Sequence, residues 1–596
     1  MTAHLDKNAL KQKYAVEREK RLRVEGNAQY QRLEGNFDAI AVDPYMPVKA
    51  REPVTDDVTF AFIGGGFAGL VVGARLKGAG IESVRILEKG GDFGGTWYWN
   101  RYPGAQCDTA SMIYLPLLEE TGHMPSEKYV HAPEIRAHCS RIGTQFELYQ
   151  NALFHTEVTD LIWQAETENW LIKTHRGDAF TAKYVGMGTG PLHVAKLPGI
   201  AGVSAFRGKS FHTSRWDYAY TGGSPEGGKM DKLGDKRVAI IGTGATAVQC
   251  VPHLAEAAQQ LLVFQRTPSS VDVRNNAPIE TNWFQSIATP GWQQRWYDNF
   301  VENQSQGLPE EDYVMDGWTE ISRRIREKVM AVPPEKWTPD TLLMAFEDAD
   351  YEKMEEIRAR CNSEVADIQT AEDLKAWYRQ LCKRPCFHDD YLQAFNQPST
   401  QLIHTDGLGV EEITPTGLIA QGKHYEVDCI IYASGFEVGS DYTERAGFDP
   451  VGRDQTLSAA WAEGMQTLHG LHVHGFPNLF IVQPNQAGNL ISNVPHNIAD
   501  HAKTIAAVVT HAEAQKANQV EPDAEAQKAW VDLILSGQGM LIGSTECTPG
   551  YYNNEGQGLT EKNRHAQGHP GGARAYFAHI AAWRESGAFE GLLFRS

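Results

Sequence analysis

Residues 58–69 read VTFAFIGGGFAG, and the fold turns on them. Val58–Ile63 is an apolar run of strand length that halts at Gly64-Gly65-Gly66. An apolar, Ala- and Gly-rich segment continues to Leu76, and a second strand candidate follows at Val84–Leu87. The pattern is a strand–helix–strand unit. Gly64, Gly66 and Gly69 keep a G-x-G-x-x-G spacing. Glycines so placed allow a tight turn, close approach of backbone to a pyrophosphate and close helix packing, and the helix N-terminus favours the anion. Such a spacing alone is weak evidence. Here Glu88 stands 19 residues after Gly69, at the end of the second strand, where a carboxylate accepts hydrogen bonds from a ribose diol.

A second unit lies further on. Residues 238–247 read VAIIGTGATA, so Gly242, Thr243, Gly244, Ala245 and Thr246 form a second turn closed by Ala247. Arg266, followed by Thr267, stands 19 residues after Ala247. At equal offsets one unit carries an acid and the other a base. An acid suits a free ribose hydroxyl and repels a 2′-phosphate, whereas a guanidinium binds that phosphate through charge-assisted hydrogen bonds. The second unit is therefore expected to hold NADPH, and the first a dinucleotide without the extra phosphate. Two such sites suggest a nicotinamide that reduces a bound flavin. They do not separate a reductase from an oxygenase. A flavin disulfide reductase needs two cysteines at the flavin, and Cys107 has no near partner in sequence.

The chain has 596 residues, enough for several domains. Its 42% hydrophobic and 22% charged residues argue against disorder and fibrous repeats. With 55 Lys+Arg against 75 Asp+Glu, the net charge of −20 argues against nucleic acid as the main partner. No apolar stretch nears 18 residues, so no membrane span is expected. The charged N-terminus lacks the apolar core of a secretory signal. Eight scattered cysteines without a Cys-x-x-Cys pair are expected to be reduced thiols of a cytoplasmic protein.

The expected fold class is α/β: two Rossmann-like domains, a helical insertion and an N-terminal extension. Residues 1–55 read as a solvated, loosely docked arm, with Leu10, Tyr14, Leu22 and Val24 along a surface helix. Residues 56–195 read as the first part of the flavin domain, and 196–395 as the NADP domain with a charged, Trp-rich helical insertion at about 275–380. Residues 396–596 read as the flavin domain's second part, with strands at Cys429–Ala433 and Leu479–Val482.

Two longer stretches carry a resemblance. Residues 206–217 read FRGKSFHTSRWD, and residues 94–108 read GGTWYWNRYPGAQCD. The first resembles the FxGxxxHxxxW-[P/D] fingerprint of the type I Baeyer–Villiger monooxygenases, through Phe206, Gly208, His212, Trp216 and Asp217. The second resembles another fingerprint of that family. The arm and Glu546–Gly556 resemble the subgroup acting on large cyclic ketones. The resemblance implies FAD and NADPH as cofactors, O₂ and a ketone as substrates, and an ester or lactone formed through a flavin peroxide. It implies that Arg384, of the pair Lys383-Arg384, faces flavin and nicotinamide as a permanent cation. Lys383 would join Arg266 and Thr267 around the 2′-phosphate, and Asp108 would orient Arg384. Gly95, Thr96, Trp97, Tyr114 and Val158 match flavin-contacting positions, while His212 and Trp216 fall at an interdomain junction where a hinge role is expected.

Some positions depart from the family. Gln106 stands where some relatives have Arg, Ala247 ends the second glycine turn, and Glu546–Gly556 replaces a Trp-bearing loop over NADP. Two other readings remain open at this level: a flavin monooxygenase oxidising nitrogen or sulfur, and a flavin reductase or redox-sensing binding protein.

Overall fold

The computed structural model describes residues 6–31, 42–304, 309–488, 493–537, 546–558 and 560–596. Helix α1 (Lys7–Glu19) opens on Asp6, whose carboxylate accepts from the N–H groups of Asn8 and Ala9. The first sheet is built on β1 (Asp57–Ile63), which feeds helix α2 (Phe67–Gly78) and then β2 (Val84–Leu87). It continues through β3 (Val158–Gln164), β4 (Asn169–Thr174) and β5 (Ala179–Met187) in the order β2-β1-β5-β4-β3. β1 is parallel to both neighbours, Phe60 lying opposite Val84 and Tyr184. Its buried apolar run is what a central parallel strand requires.

The second sheet contains β6 (Lys209–His212), β7 (Arg237–Ile241), helix α3 (Ala245–Ala257) on its face, and β8 (Gln260–Gln265). Helices α4 (Trp292–Gln304), α5 (Gly317–Met330) and α6 (Pro339–Glu364) follow. The sheet is then completed by β9 (Thr400–His404) and β10 (Cys429–Tyr432). All five strands are parallel, in the order β9-β8-β7-β10-β6. The chain then returns to the first sheet, where β11 (Leu479–Ile481) pairs with the end of β5. Helix α7 (Val494–Gln515) covers α2, with Ile505, Val508 and Val509 in one core with Leu70 and Val71.

Three expectations are corrected. Thr400–His404 and Cys429–Tyr432 belong to the second sheet, so the 395/396 boundary falls too early and Cys429–Tyr432 does not rejoin the first. An apolar strand pattern carries burial but not partner identity. The arm is not loosely docked: Leu10 and Tyr14 are buried, and Tyr14 packs on Tyr351 at 5.9 Å. Glu17 and Arg21 form a buried ion pair at 2.6 Å. The cysteines are not all thiols. Cys382 and Cys547 form a disulfide across 165 residues, a separation that leaves no spacing signature, while the other six are free and buried. No helix among the described residues is long and apolar enough to cross a membrane.

Candidate functional site

The first glycine turn is closely packed. Gly64 has φ +115°, and a Cβ there would stand 2.5 Å from the Gly188 carbonyl oxygen. A Cβ on Gly69 would meet the Gly64 oxygen at 2.1 Å, so only glycine lets α2 sit this close to its strand. Gly66 is the α2 N-cap and faces Gly95, whose φ of +51° starts the short helix Thr96–Trp99. The two backbones leave no room for side chains between them, which suits an elongated ligand laid across the turn.

Glu88 is buried at the end of β2. One carboxylate oxygen accepts from the Gly65 N–H and the other from the Gly90 N–H, each at 2.6 Å. Burial pushes its pKa up, and these two donors oppose the rise. Its oxygens keep spare lone pairs for a ribose diol. The residues present therefore fit FAD. Trp97 Nε1 donates to the Tyr114 hydroxyl at 2.9 Å, and the rings meet edge to face at 5.8 Å. Val158 is buried in the core with Ile63 and Leu87.

The second turn is looser. Gly242 has φ +110°, and a Cβ there would meet the Ala433 oxygen at 2.6 Å. Gly244, the α3 N-cap, has open space where a Cβ would stand, with Ala245 and Thr246 entering the helix beyond it. Thr243 Oγ1 donates to the Thr267 carbonyl at 2.8 Å, tying the turn to the end of β8. Arg266 follows β8 and donates to the Gln29 side chain and, at 3.4 Å, to the Tyr30 hydroxyl. The N-terminal arm thus lines this pocket. Lys383 lies near the same cation. Burial lowers its pKa to about 8, opposed by the charge of Glu555 and helped by that of Arg266. A cationic pocket beside a helix N-terminus fits NADP.

The structure also forms the pair expected from the resemblance. Nη2 of Arg384 lies 2.8 Å from both carboxylate oxygens of Asp108. Burial pulls the Arg384 pKa down, but Asp108 together with Tyr551, Cys386 and Tyr552 outweighs it, so the guanidinium stays charged. The Asp108 carbonyl accepts from Trp318 Nε1 of α5 at 2.7 Å, so the helical insertion braces the pair. Gln106 accepts from Arg274 and donates to the Tyr129 carbonyl at 2.6 Å. Gln249 of α3 donates to the Gln106 carbonyl at 2.8 Å and accepts from Tyr102 at 2.9 Å. Residues 94–108 are thereby laced to the second sheet.

The other fingerprint is packed rather than exposed. His212 is buried and pairs with the Ser214 hydroxyl at 2.8 Å, and burial drives its pKa to about 3. Trp216 donates to Thr221 Oγ1 at 3.1 Å. Asp217 caps the turn Tyr218–Thr221 and pairs with Lys209. Phe206 packs at the edge of the core behind Gly208, where a Cβ would meet the Phe206 ring at 2.5 Å. Sequence reasoning missed Gln249, Arg274, Trp318 and Glu555. The first three carry no motif; Glu555 lay in the segment singled out for nicotinamide capping.

Comparison with known proteins finds relatives over nearly the whole chain. Residues 63–124 match the model of an NAD(P)-binding Rossmann-like domain. The chain is 47% identical to neopentalenolactone D synthase of Streptomyces avermitilis, covering 98% of both chains. It is 45% identical to a Baeyer–Villiger monooxygenase of Streptomyces coelicolor, over 97% of this chain and 95% of that one. Among solved structures it resembles the polycyclic ketone monooxygenase from Thermothelomyces thermophila. The TM-score is 0.91 at 35% identity, over 99% of each chain.

Proposed function

The chain belongs to the type I Baeyer–Villiger monooxygenases, FAD- and NADPH-dependent enzymes that convert ketones to esters or lactones, and we propose that Arg384, held by Asp108, is its catalytic cation for a bulky or cyclic ketone. The observation that carries this reading is the Arg384–Asp108 pair, joined at 2.8 Å and braced by Trp318. FAD, reduced by NADPH, supplies the oxygen-activating chemistry when bound. The chain's own residues do the rest. Gly64, Gly66, Gly69, Gly95 and Thr96 admit the flavin dinucleotide, and Glu88 receives its ribose. Arg266, Thr267 and Lys383 receive the nicotinamide cofactor's 2′-phosphate.

Arg384 then presents a fixed positive charge where negative charge develops on oxygen in the transition state. A guanidinium suits the task because it stays protonated across the working pH range. In a water-poor site such a charge is screened little and needs no reorganisation as the reaction proceeds. Asp108 aims the guanidinium and balances its charge. His212, Trp216 and Asp217 are positioning residues that set the junction between the two sheets; the burial of His212 and Trp216 supports a structural linker rather than proton transfer.

The test is the Arg384→Ala variant under ¹⁸O₂ with a panel of bulky ketones, amines and sulfides. The expected outcome is retained FAD and NADPH binding with lactone formation reduced about a hundred- to a thousandfold, the range of a lost oxyanion-stabilising group. Normal ketone turnover by this variant overturns the assignment. In the parent enzyme, label in lactone supports ketone oxygenation. Label confined to nitrogen or sulfur, or lost wholly to peroxide, favours the other two readings.

A further inference from the structure

The pocket assigned to the 2′-phosphate already contains an anion. Glu555 is 97% buried, since only 3% of it is exposed, and it sits on the segment Tyr551–Gly556. Its Oε2 lies 3.7 Å from Nη2 of Arg266 and makes no hydrogen bond. Its charge also reaches Lys383 and Lys196. Lys196 Nζ lies 3.6 Å from the centre of the Tyr30 ring, and Tyr30 is itself bonded to Arg266. Three cations therefore act on one carboxylate, and Arg266 directs donors to Gln29 and Tyr30 rather than closing on it. Glu555 is near enough to neutralise the pocket; Arg266 stands off at 3.7 Å, and the Tyr30 hydroxyl lies between the two, within reach of both.

The backbone beneath Glu555 is unusual. Asn554 and Glu555 both lie in the left-handed region, at φ +51° and +54°. Side chains with a Cβ rarely adopt it, and two in succession is rarer still. The segment holds this shape as a unit. Asn553 donates to the Cys547 and Thr548 carbonyls and accepts from the Gly550 and Gly556 N–H groups. The Cys382–Cys547 disulfide moors one end beside Lys383. The other end meets the arm, where Gln557 donates to the Arg23 carbonyl at 3.1 Å.

We propose that Glu555 is a place-holding anion: it occupies the Arg266–Lys383–Lys196 pocket in the cofactor-free protein and is expelled from it by the cofactor's 2′-phosphate. The inference rests on Arg266 and Lys383 forming the NADPH site. A carboxylate and a dianionic phosphate repel each other in one pocket, so binding the phosphate includes the work of moving Glu555. A cofactor without the phosphate meets no such opposition and gains nothing from its removal. Glu555 thus sets the affinity for NADPH relative to NADH, and it keeps the cations charge-balanced while the cofactor is absent.

The experiment measures dissociation constants of NADP⁺ and NAD⁺ on the FAD-loaded enzyme by calorimetry. It compares the parent with Glu555→Gln, Glu555→Ala and Arg266→Ala, with flavin absorbance reporting an intact fold. Glu555→Gln is expected to bind NADP⁺ about tenfold tighter, the effect of removing one like charge, with NAD⁺ unchanged within about twofold. Glu555→Ala must move in the same direction and is the second arm if the Gln variant loses its flavin. Unchanged or weaker NADP⁺ binding overturns the proposal, as does an equal gain for both cofactors. Arg266→Ala separates the two levels of argument. If it weakens NADP⁺ alone, the cofactor site stands whatever Glu555 does; if it affects both cofactors equally or neither, the site itself was misread.

Discussion

The two glycine turns follow one strand–turn–helix plan but differ in how they are finished. In the first, the acid at the end of β2 is already engaged: both Glu88 oxygens take N–H donors from the Gly65 and Gly90 backbone. In the second, the base at the end of β8 faces a pocket shared with Lys383 and filled by a carboxylate from another part of the chain. The first turn is tightly closed, with Gly69 pressed on the Gly64 carbonyl; the second has open space at Gly244 and a methyl group at Ala247 where the first has Gly69. A prebuilt, packed turn suits a group that stays bound. A pocket neutralised by a removable anion suits one that enters and leaves with each turnover.

The largest test of this contrast is steric. Gly69→Val would place a branched side chain where even a Cβ stands 2.1 Å from a carbonyl oxygen. We expect purified protein without bound flavin, measured by its absorbance. Gly244→Ala, with nothing within 4 Å of its Cβ, should retain flavin fully and lower NADPH affinity no more than about threefold, a change of well under 1 kcal/mol. If the two variants behave alike, the packing difference has no functional meaning.

The next test is electrostatic. Arg266→Ala should weaken NADPH about a hundredfold, on the order of 3 kcal/mol for a charge-assisted contact, and NADH by much less. Steady-state KM values with both cofactors would show it. Equal losses would erase the distinction between the two turns.

The smallest effect is a pH dependence. Lys383 is held near pKa 8, below the ordinary lysine value, chiefly by burial. Its positive charge is present below about pH 8 and lost above it, and a bound 2′-phosphate favours the protonated form. NADPH affinity should therefore fall as pH rises past about 8, by at most about tenfold per unit, while NADH affinity stays flat. Lys383→Arg, charged throughout, should flatten the NADPH profile. A profile unchanged by that substitution would take Lys383 out of the pocket.

How much of the site could be read in advance follows from the range of its interactions. Gly64, Gly66, Gly69 and Glu88 were legible because a nucleotide-binding turn is a local solution: its glycines, helix start and acid lie within one short stretch. Gly242, Gly244 and Arg266 were legible for the same reason. Arg384 and Asp108 were reached only through a family resemblance, since 276 residues separate them and neither carries a local signal. Trp318, which braces Asp108, and Gln249, which joins the fingerprint to α3, had no signal at all.

The arm shows the same limit. A helix was expected over Leu10, Tyr14, Leu22 and Val24, but α1 ends at Glu19 and leaves the last two outside it; nor was it legible that Tyr14 would be buried against Tyr351 or that Gln29 and Tyr30 would reach Arg266. The Cys382–Cys547 bond was misread as two thiols because pairing across so long a loop depends on where the chain returns. So did the membership of Cys429–Tyr432 in the second sheet.

The amino-acid order alone decided the two strand–turn–helix units, the acid in one and the base in the other, because these rest on backbone conformation and neighbours a few residues apart. Folding in three dimensions decided which carboxylate meets Arg384, which strands complete each sheet, and that Glu555 lies against Arg266. Those are encounters between distant segments, and their free energy comes from burial and charge pairing that exist only once the segments are packed together.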